Sequence, residues 1–467
     1  LLAELDDLCE LLGDRPRQAA AVRELQELAA RPNAPATVRA LAAYRRARLA
    51  EETADHATLR AAAAEAIGAA AAAGDRLHLA RTQLLVGRDA LGAGENERAR
   101  APLEEAERLF RELGDYRGQC EALTALSRAA FYEARLDDAM APLREALRIA
   151  GAHRDRALFG RTLVQVGVVY KAHGQLREAA RLLRRAALLF RRIGARRLES
   201  TALANLGATL ADAGLFLEAR EALEAAVALK TEIGDAPGAL IATGNLALVQ
   251  MYVGEVARAE EGLRRAARDA AEMDLGRTHA HMLYLLADAR AAQDALEEAI
   301  GRYQEAMSHA ERHGEELLQL YIAPSFARAL LRRNAGAGAD RARALGLIGR
   351  VLDTPRTEAM LAARAKALLA LALCLDEQGA AVGALAAAAE ATAIVEGGVA
   401  LPGVIGTEEE VRWHLARLLR AAGRQEEADA VLARARARLR EKAAALGEGP
   451  AREGLLRTFS MGGALTD

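Results

Sequence analysis

The sequence predicts an all-α protein, a right-handed α-solenoid of about ten antiparallel helix pairs. Three observations lead to this prediction. Small and large apolar residues recur every 40 residues, no stretch alternates apolar and polar residues as a half-buried strand would, and only ten prolines interrupt 467 residues. Hydrophobic residues make up 52% of the chain but aromatic residues only 3%. Much of the apolar content is alanine, which suits closely packed helices in a thin layer.

The 40-residue period consists of columns of equivalent residues. The first helix of each pair carries a small residue, at Gly87, Ser127, Gly167, Gly207, Ala247 and Ala287. Twelve residues later the second helix carries an alanine, at Ala99, Ala139, Ala179, Ala219, Ala259 and Ala299. Four residues further comes a large side chain, and three further another alanine, as in Leu223 and Ala226. Spacings of three and four residues place these side chains on one helical face. We therefore expect the small residue to let the second helix approach closely.

Two further columns mark the turns. The turn inside each pair is expected at Gly94, Ala134, Gly174, Gly214, Gly254 and Asp294. The end of each second helix is expected at Gly74, Gly114, Gly194 and Gly234, with His153-Arg154 and Asp274 replacing glycine in two repeats. Glycine adopts the left-handed backbone conformation that commonly ends a helix.

The regularity of the columns divides the chain into five segments. We expect irregular helices in residues 1–35, a regular array in 36–320, an irregular repeat in 321–355, further repeats in 356–446 and a tail in 447–467. The Gly/Ala-rich stretch of residues 334–339 in the irregular repeat is predicted to form a mobile turn or hinge. Because the chain begins Leu-Leu-Ala without a methionine, we also expect it to be part of a longer protein.

The columns resemble the tetratricopeptide repeat (TPR), which has a small residue at position 8, alanine at 20, a large apolar residue at 24 and alanine at 27. The resemblance covers most of the chain. A period of 40 exceeds the 34 residues of the commonest repeats and is similar to that of the sensor arms of STAND-type signalling ATPases, such as the maltose-regulon activator. Kinesin light chains and bacterial peptide-pheromone receptors are also similar. The resemblance implies a superhelical groove faced by positions 2, 5, 6, 9, 12 and 13 of each first helix.

Those groove positions supply the candidate ligand-binding residues. Position 6 gives three amides in consecutive repeats, Gln165, Asn205 and Asn245. An amide row of this kind can pair with the backbone of an extended peptide, although the amides could instead cap neighbouring helices or bind water. The other candidates are basic or aromatic: Arg81, Arg88, Arg128, Phe131, Tyr132, Arg161, Lys171, Tyr252, His281 and Tyr284. Arginine binds carboxylates or phosphates in a fork, and the aromatic residues could cover apolar groups of a partner or pack between repeats.

The sequence gives no indication of catalysis or of a cofactor. It lacks the P-loop, the nucleophile elbow and the His-Glu-x-x-His motif. His309 and His313 are four residues apart and can share a helical face, as zinc ligands do, but no cysteine lies nearby, so we predict a solvated helix end and no metal site. Cys9, Cys120 and Cys374 form no Cys-x-x-Cys pair and are expected to be buried thiols in a reducing compartment.

The resemblance implies a non-catalytic ligand-sensing or peptide-binding arm of a larger STAND-type protein. The ATPase and effector modules are then expected outside this chain. The partner, a protein or peptide, is expected to bind in the concave groove. The alternative is a constitutive TPR scaffold that assembles a complex without switching. A net charge of −2 argues against nucleic-acid binding, and no apolar run reaches the length of a membrane helix. We expect a cytoplasmic protein.

Overall fold

The protein is described here by a computed structural model that covers residues 2, 4–6, 15–53, 55–133, 135–333, 338–354, 358–404, 406–459 and 465. These residues form helices, turns and short loops, and no strand occurs among them. The prediction of an all-α solenoid is therefore confirmed. The chain divides into two compact units, Leu1–Val169 and Tyr170–Asp467.

The first unit is built from helices that follow one another after short turns. They are α1 (Arg15–Ala29), α2 (Ala36–Glu52), α3 (His56–Ala73), α4 (Arg76–Gly92), α5 (Asn96–Leu113), α6 (Tyr116–Tyr132), α7 (Leu136–Ala152) and α8 (Arg156–Ala172), the last of which contains the division between the units.

The second unit continues this order and ends with a short extra helix. Its helices are α9 (Leu176–Arg192), α10 (Arg196–Asp212), α11 (Phe216–Glu232), α12 (Ala236–Tyr252), α13 (Val256–Glu272), α14 (Gly276–Ala292), α15 (Leu296–Arg312), α16 (Glu316–Arg333), α17 (Gly338–Leu352), α18 (Glu358–Glu377), α19 (Ala381–Glu396), α20 (Glu408–Ala421), α21 (Gln425–Ala444) and α22 (Pro450–Phe459). Within the described residues, α2 to α21 are twenty consecutive helices, the number that ten pairs require. Inside each unit neighbouring helices pack in pairs, such as α4 with α5 in the first and α10 with α11 in the second.

The turn columns end the helices as expected. Gly94 and Gly214 have left-handed φ angles of 75° and 80°. The residues that replace glycine adopt the same conformation, with φ at 54° in both Arg154 and Asp274, and at 62° in Asp294. The repeat thus imposes a left-handed turn even where the side chain disfavours it. Ala134 and residues 334–337 of the predicted hinge lie outside the described residues.

The small-residue columns form the interface inside each pair. A Cβ atom added to Gly207 of α10 would lie 2.5 Å from Cγ of Leu223 and 3.1 Å from the carbonyl oxygen of Ala219, both on α11. Gly87 meets Leu103 and Ala99 in the same way in the first unit. The second-helix alanines are fully buried, with exposures of 0% at Ala99, Ala139, Ala179, Ala219, Ala259 and Ala299. The close approach predicted from the columns is confirmed.

Two of the three cysteines lie in the described part of the chain. Cys120 and Cys374 are buried free thiols, and burial raises the pKa of Cys120 to about 11. This outcome confirms the expectation for these two residues, whereas Cys9 lies outside the described residues. None of the described helices combines the length and the apolarity that crossing a bilayer requires.

Candidate functional site

A cavity of about 580 Å³ opens in the second unit beside the first helices of three consecutive pairs, α12, α14 and α16. Its walls are mainly apolar, and one side is closed by a loop that precedes α20. The lining residues are Ile241, Asn245, Leu248, Arg277, Thr278, His281, Tyr284, Leu285, Leu317, Leu318, Tyr321, Pro402 and Gly403.

The lining follows the 40-residue period. Ile241, His281 and Tyr321 are equivalent residues of the three repeats, at position 2 of the first helix. Asn245 and Leu285 are likewise equivalent, at position 6. Residues at i and i+4 share a helical face, so α12 and α14 present both positions to the cavity, and α16 presents position 2. These are positions that the TPR resemblance assigns to the groove.

The chemistry of the cavity is that of an apolar anchor site with a few polar groups. Ile241 and Leu317 leave 49% and 43% of their surface exposed although both are large and hydrophobic. Burial, with a smaller effect of the charge of Arg277, lowers the pKa of His281 to about 4, so its imidazole is neutral at neutral pH. The Asn245 amide supplies two donors and one acceptor. The site can therefore hold an apolar side chain next to a backbone segment.

The loop that closes the cavity is fixed by polar contacts with the repeats. The backbone N–H of Gly403 donates a hydrogen bond to the Tyr252 hydroxyl at 2.7 Å, and the Lys366 ammonium donates to the carbonyl oxygen of Pro402. Gly403 has a left-handed φ of 108°, and an added Cβ would lie 3.1 Å from both Asp288 Oδ2 and Lys366 Nζ. Only glycine fits here without strain.

We call residues 398–404 and 406–459 the C-terminal cover, because they lie over the repeats of the second unit. The cover touches the turn column three times. A Cβ on Gly174 would lie 3.2 Å from the Gly398 oxygen, one on Gly214 would lie 2.7 Å from Lys442 Cγ, and one on Gly254 would lie 2.6 Å from the Gly454 Cα. These three glycines therefore also leave room for the cover, because a side chain at any of them would crowd it.

One buried ion pair holds the cover on the repeats. Arg328 of α16 binds Glu410 through both Nη atoms, with Nη1 to Oε2 at 2.8 Å. A second buried pair lies inside the cover, where Lys442 of α21 donates to Glu409 of α20 at 2.5 Å. Burial alone would raise the pKa of Glu410, but the charge and hydrogen bonds of Arg328 outweigh burial and lower it. All four residues are at most 9% exposed. Glu409 and Glu410 stand in the first turn of α20, where the helix dipole also favours acids.

The structure brings three of the candidate residues together, since Asn245, His281 and Tyr284 line the cavity. Tyr252 is covered by the loop at Gly403, and Lys171 pairs with Asp212 at 2.8 Å. Asn205 is half-buried and donates one amide hydrogen to the Thr201 oxygen of its own helix at 3.0 Å. This bond stays within α10, so it is not the cap on a neighbouring helix that the sequence offered as an alternative.

The remaining candidates lie in the first unit. Arg88 is exposed and lies 3.2 Å from Glu51, Arg128 and Arg161 are exposed, and Arg81 and Gln165 are half-buried. The ring of Phe131 meets that of Tyr132 edge to face at 5.7 Å, and Tyr132 remains 45% exposed. Ligand binding by these residues stays a prediction, as does the amide row, because Gln165 lies in a different unit from Asn205 and Asn245.

Sequence reasoning missed the apolar anchor residues and the cover. Ile241 stands at a groove position, but its apolar type did not single it out beside the polar and aromatic candidates, and Leu317 stands outside the columns. Gly403 belongs to a Leu-Pro-Gly turn that indicates a loop but not its destination. Contacts such as Arg328 with Glu410 join residues 82 positions apart, a separation that no periodic pattern reveals.

Neither a protein-family profile nor a curated protein sequence matches the chain. Solved structures do match. A Rap protein in complex with competence and sporulation factor is similar with a TM-score of 0.52 and 14% identity, over 77% of this chain and 97% of that one. Aspartyl phosphate phosphatase F from Bacillus subtilis gives a TM-score of 0.51 and 15% identity, over 75% and 93%.

A STAND protein with a tetratricopeptide repeat sensor from Pyrococcus horikoshii is also similar, with a TM-score of 0.47 and 15% identity over 71% of this chain and 52% of that one. At these identities the similarity concerns the fold. Together with the repeated helix pairs, it shows that this chain has the TPR-like fold that the columns predict.

Proposed function

We propose that the protein is a non-catalytic, peptide-binding TPR protein whose cavity between α12, α14 and α16 receives an apolar side chain of an extended segment. The observation that carries the proposal is the cavity itself, because equivalent positions of three repeats line it and leave Ile241 and Leu317 exposed. Large exposed apolar groups in a concave site are typical of ligand-binding surfaces. The similar Rap protein was solved with a factor bound, which supports this class of function.

The cavity indicates the chemistry of the ligand. The neutral imidazole of His281 and the apolar residues around it disfavour a charged group at the centre. The half-buried Asn245 side chain stands at the same site and can hydrogen-bond a peptide backbone without selecting its side chains. We therefore expect a peptide with a leucine-sized apolar anchor.

Within this proposal, the role of a sensing arm in a STAND-type protein rests on the position of the cover. Pro402 and Gly403 form part of the cavity wall, so a ligand would touch the repeats and the cover at once. A ligand that binds one position of the cover better than another would shift the cover between the two. The alternative, a constitutive scaffold, requires a cover that stays in place, and the buried ion pair of Arg328 with Glu410 favours that behaviour.

Peptide selection from a random library, followed by calorimetry, tests the binding site. Ile241→Arg should abolish binding of the selected peptides because it fills the cavity with a charge. Leu188→Arg is the matched control, since Leu188 is also 49% exposed but lies on α9 away from the cavity. Asn245→Ala should weaken binding several-fold, in keeping with about 0.5–1.5 kcal/mol for one hydrogen bond. Peptides that bind Ile241→Arg as well as the wild type would refute the site.

The amide row can be tested with the same peptides. The double change Asn205→Ala with Asn245→Ala should weaken binding more than Asn245→Ala alone if the peptide extends along the repeats. An identical affinity of the single and double variants would confine the peptide to the cavity. Hydrogen exchange then separates sensor from scaffold, because only a sensor should show altered protection of residues 398–404 and of α20 when peptide binds.

A further inference from the structure

We infer that α14 and α15 carry a binding site for a divalent transition metal, with Zn²⁺ as the best match, formed by His279, Glu305 and His309. Each of the three side chains offers one ligand atom, and these atoms all lie within 4.8 Å of one another. The two imidazole rings meet edge to face, with centroids 4.5 Å apart and an angle of 63° between their planes. Two histidines and one glutamate form a known zinc ligand set that leaves a fourth position open.

The fold assembles these ligands from two packed helices. Glu305 and His309 are four residues apart on α15 and share a face, while His279 stands in the first turn of α14. The two helices are held together by the columns of the repeat, with Ala287 of α14 and Tyr303 of α15 fully buried. A tetrahedral ion with bonds near 2.1 Å needs ligand atoms about 3.4 Å apart, so small rotations of these side chains, of which Glu305 is exposed and the histidines are half-buried, complete the site.

The ligands are accessible to an ion from solvent. His279 and His309 are half-buried. Glu305 is exposed and meets Arg302 at 3.2 Å, a surface contact of small energy that a metal can replace.

The site differs from the histidine pair that the sequence singles out. His313 is close in sequence to His309, but its ring lies against the backbone of Gly276, where an added Cβ would overlap it. His279 is the partner instead, and it comes from the neighbouring helix. His279 is also two residues from the cavity residue His281, which places the two roughly 200° apart around α14. The metal site is thus separate from the proposed peptide site and independent of it.

Titration of the whole chain, freed of metal with a chelator that is then removed, tests the inference with ZnCl₂ alone. We expect one ion per chain by calorimetry, a rise in melting temperature because the ion joins α14 to α15, and the visible absorption of tetrahedral cobalt when CoCl₂ replaces zinc. His279→Ala and His309→Ala should each weaken binding by on the order of 10-fold or more, since even outer-shell partners are worth that much.

His313→Ala is the matched control and should bind zinc as the wild type does. All the variants change partly exposed side chains, and circular dichroism verifies that they keep their helices. The inference is overturned if the wild type takes up no zinc at millimolar concentration, or if the double variant His279→Ala with His309→Ala binds it equally well.

Discussion

Tyr132 in the first unit and Tyr252 in the second occupy the same position of the repeat, three repeats apart, yet their surroundings differ. Tyr132 is 45% exposed, whereas Tyr252 is 8% exposed and accepts a hydrogen bond from the loop at Gly403. Position 9 shows the same contrast, because Arg128 is exposed and Asp288 is fully buried. The repeat therefore determines which side chains face the groove, and a distant segment determines whether they meet solvent or protein.

Both units contain exposed and buried ion pairs. Arg148 with Glu145 at 2.6 Å is a surface contact along one helix of the first unit, and Arg45 pairs with Asp6 at 2.7 Å inside the same unit. In the second unit Arg328 and Glu410 are paired with 6% and 9% of their surface exposed. Exposed pairs contribute little to the free energy of unfolding, whereas breaking a buried pair leaves a charge without compensation.

The largest expected effect comes from Arg328→Ala, which leaves Glu410 buried and unpaired. We expect a loss of about 3–5 kcal/mol in the unfolding free energy of the second unit. Arg148→Ala, the matched change at an exposed pair, should leave the unfolding free energy nearly unchanged. Denaturant unfolding combined with hydrogen exchange measures each unit separately. Equal losses in the two variants would show that the pair at Glu410 is solvated.

The second prediction concerns the alanine column inside the helix pairs, which both units contain. Ala226→Leu on α11 overpacks a fully buried position and should cost roughly 1–3 kcal/mol. The equivalent Ala146→Leu in the first unit should cost about the same, since Ala146 is also 0% exposed. Ala228→Leu makes the same change at an exposed position of α11 and should leave the melting temperature nearly unchanged. A difference between Ala146→Leu and Ala226→Leu would mean that the pair interface is not equivalent in the two units.

The third prediction concerns how stability depends on pH through a buried histidine of the cover. Burial lowers the pKa of His414 to about 4, against the opposing charge of Glu410 at 3.8 Å. In the unfolded chain His414 takes up a proton near pH 6.5, whereas in the folded chain it stays neutral at that pH. The contribution of His414 to the free energy of unfolding is therefore fully present above pH 6.5 and is lost as the pH drops toward 4. We expect a loss on the order of 1 kcal/mol between pH 7.5 and pH 5.5. His414→Gln should remove this pH dependence of the free energy of unfolding. If the variant keeps the same pH dependence, His414 takes up a proton as readily in the folded protein as in the unfolded chain.

The sequence was sufficient for the contacts between neighbouring helices that recur from repeat to repeat. Columns such as Gly207 with Leu223 encode a local contact repeated many times, so the pattern stands out without any structure. It also identified Asn245 and His281, because equivalent positions of a repeat share a direction. The cover was not predictable, since Glu410 meets Arg328 through a unique contact with no repeated counterpart. His279 was missed as a partner of His309 for a related reason, because they belong to different helices.

The smallest effect isolates the hydroxyl that distinguishes the two tyrosines. Tyr252→Phe keeps the ring against Phe216 and Phe459 but leaves the Gly403 N–H without its acceptor. Because Gly403 borders the cavity, water can partly replace the hydroxyl, so we expect a loss of about 1 kcal/mol, and faster exchange at the Gly403 amide. Tyr132→Phe removes the same atom from an exposed ring and should change neither stability nor exchange. If Tyr252→Phe also leaves stability and amide exchange unchanged, the loop is held by Lys366 and the ion pairs of the cover alone. A ligand could then move Gly403 without first breaking the hydrogen bond to Tyr252.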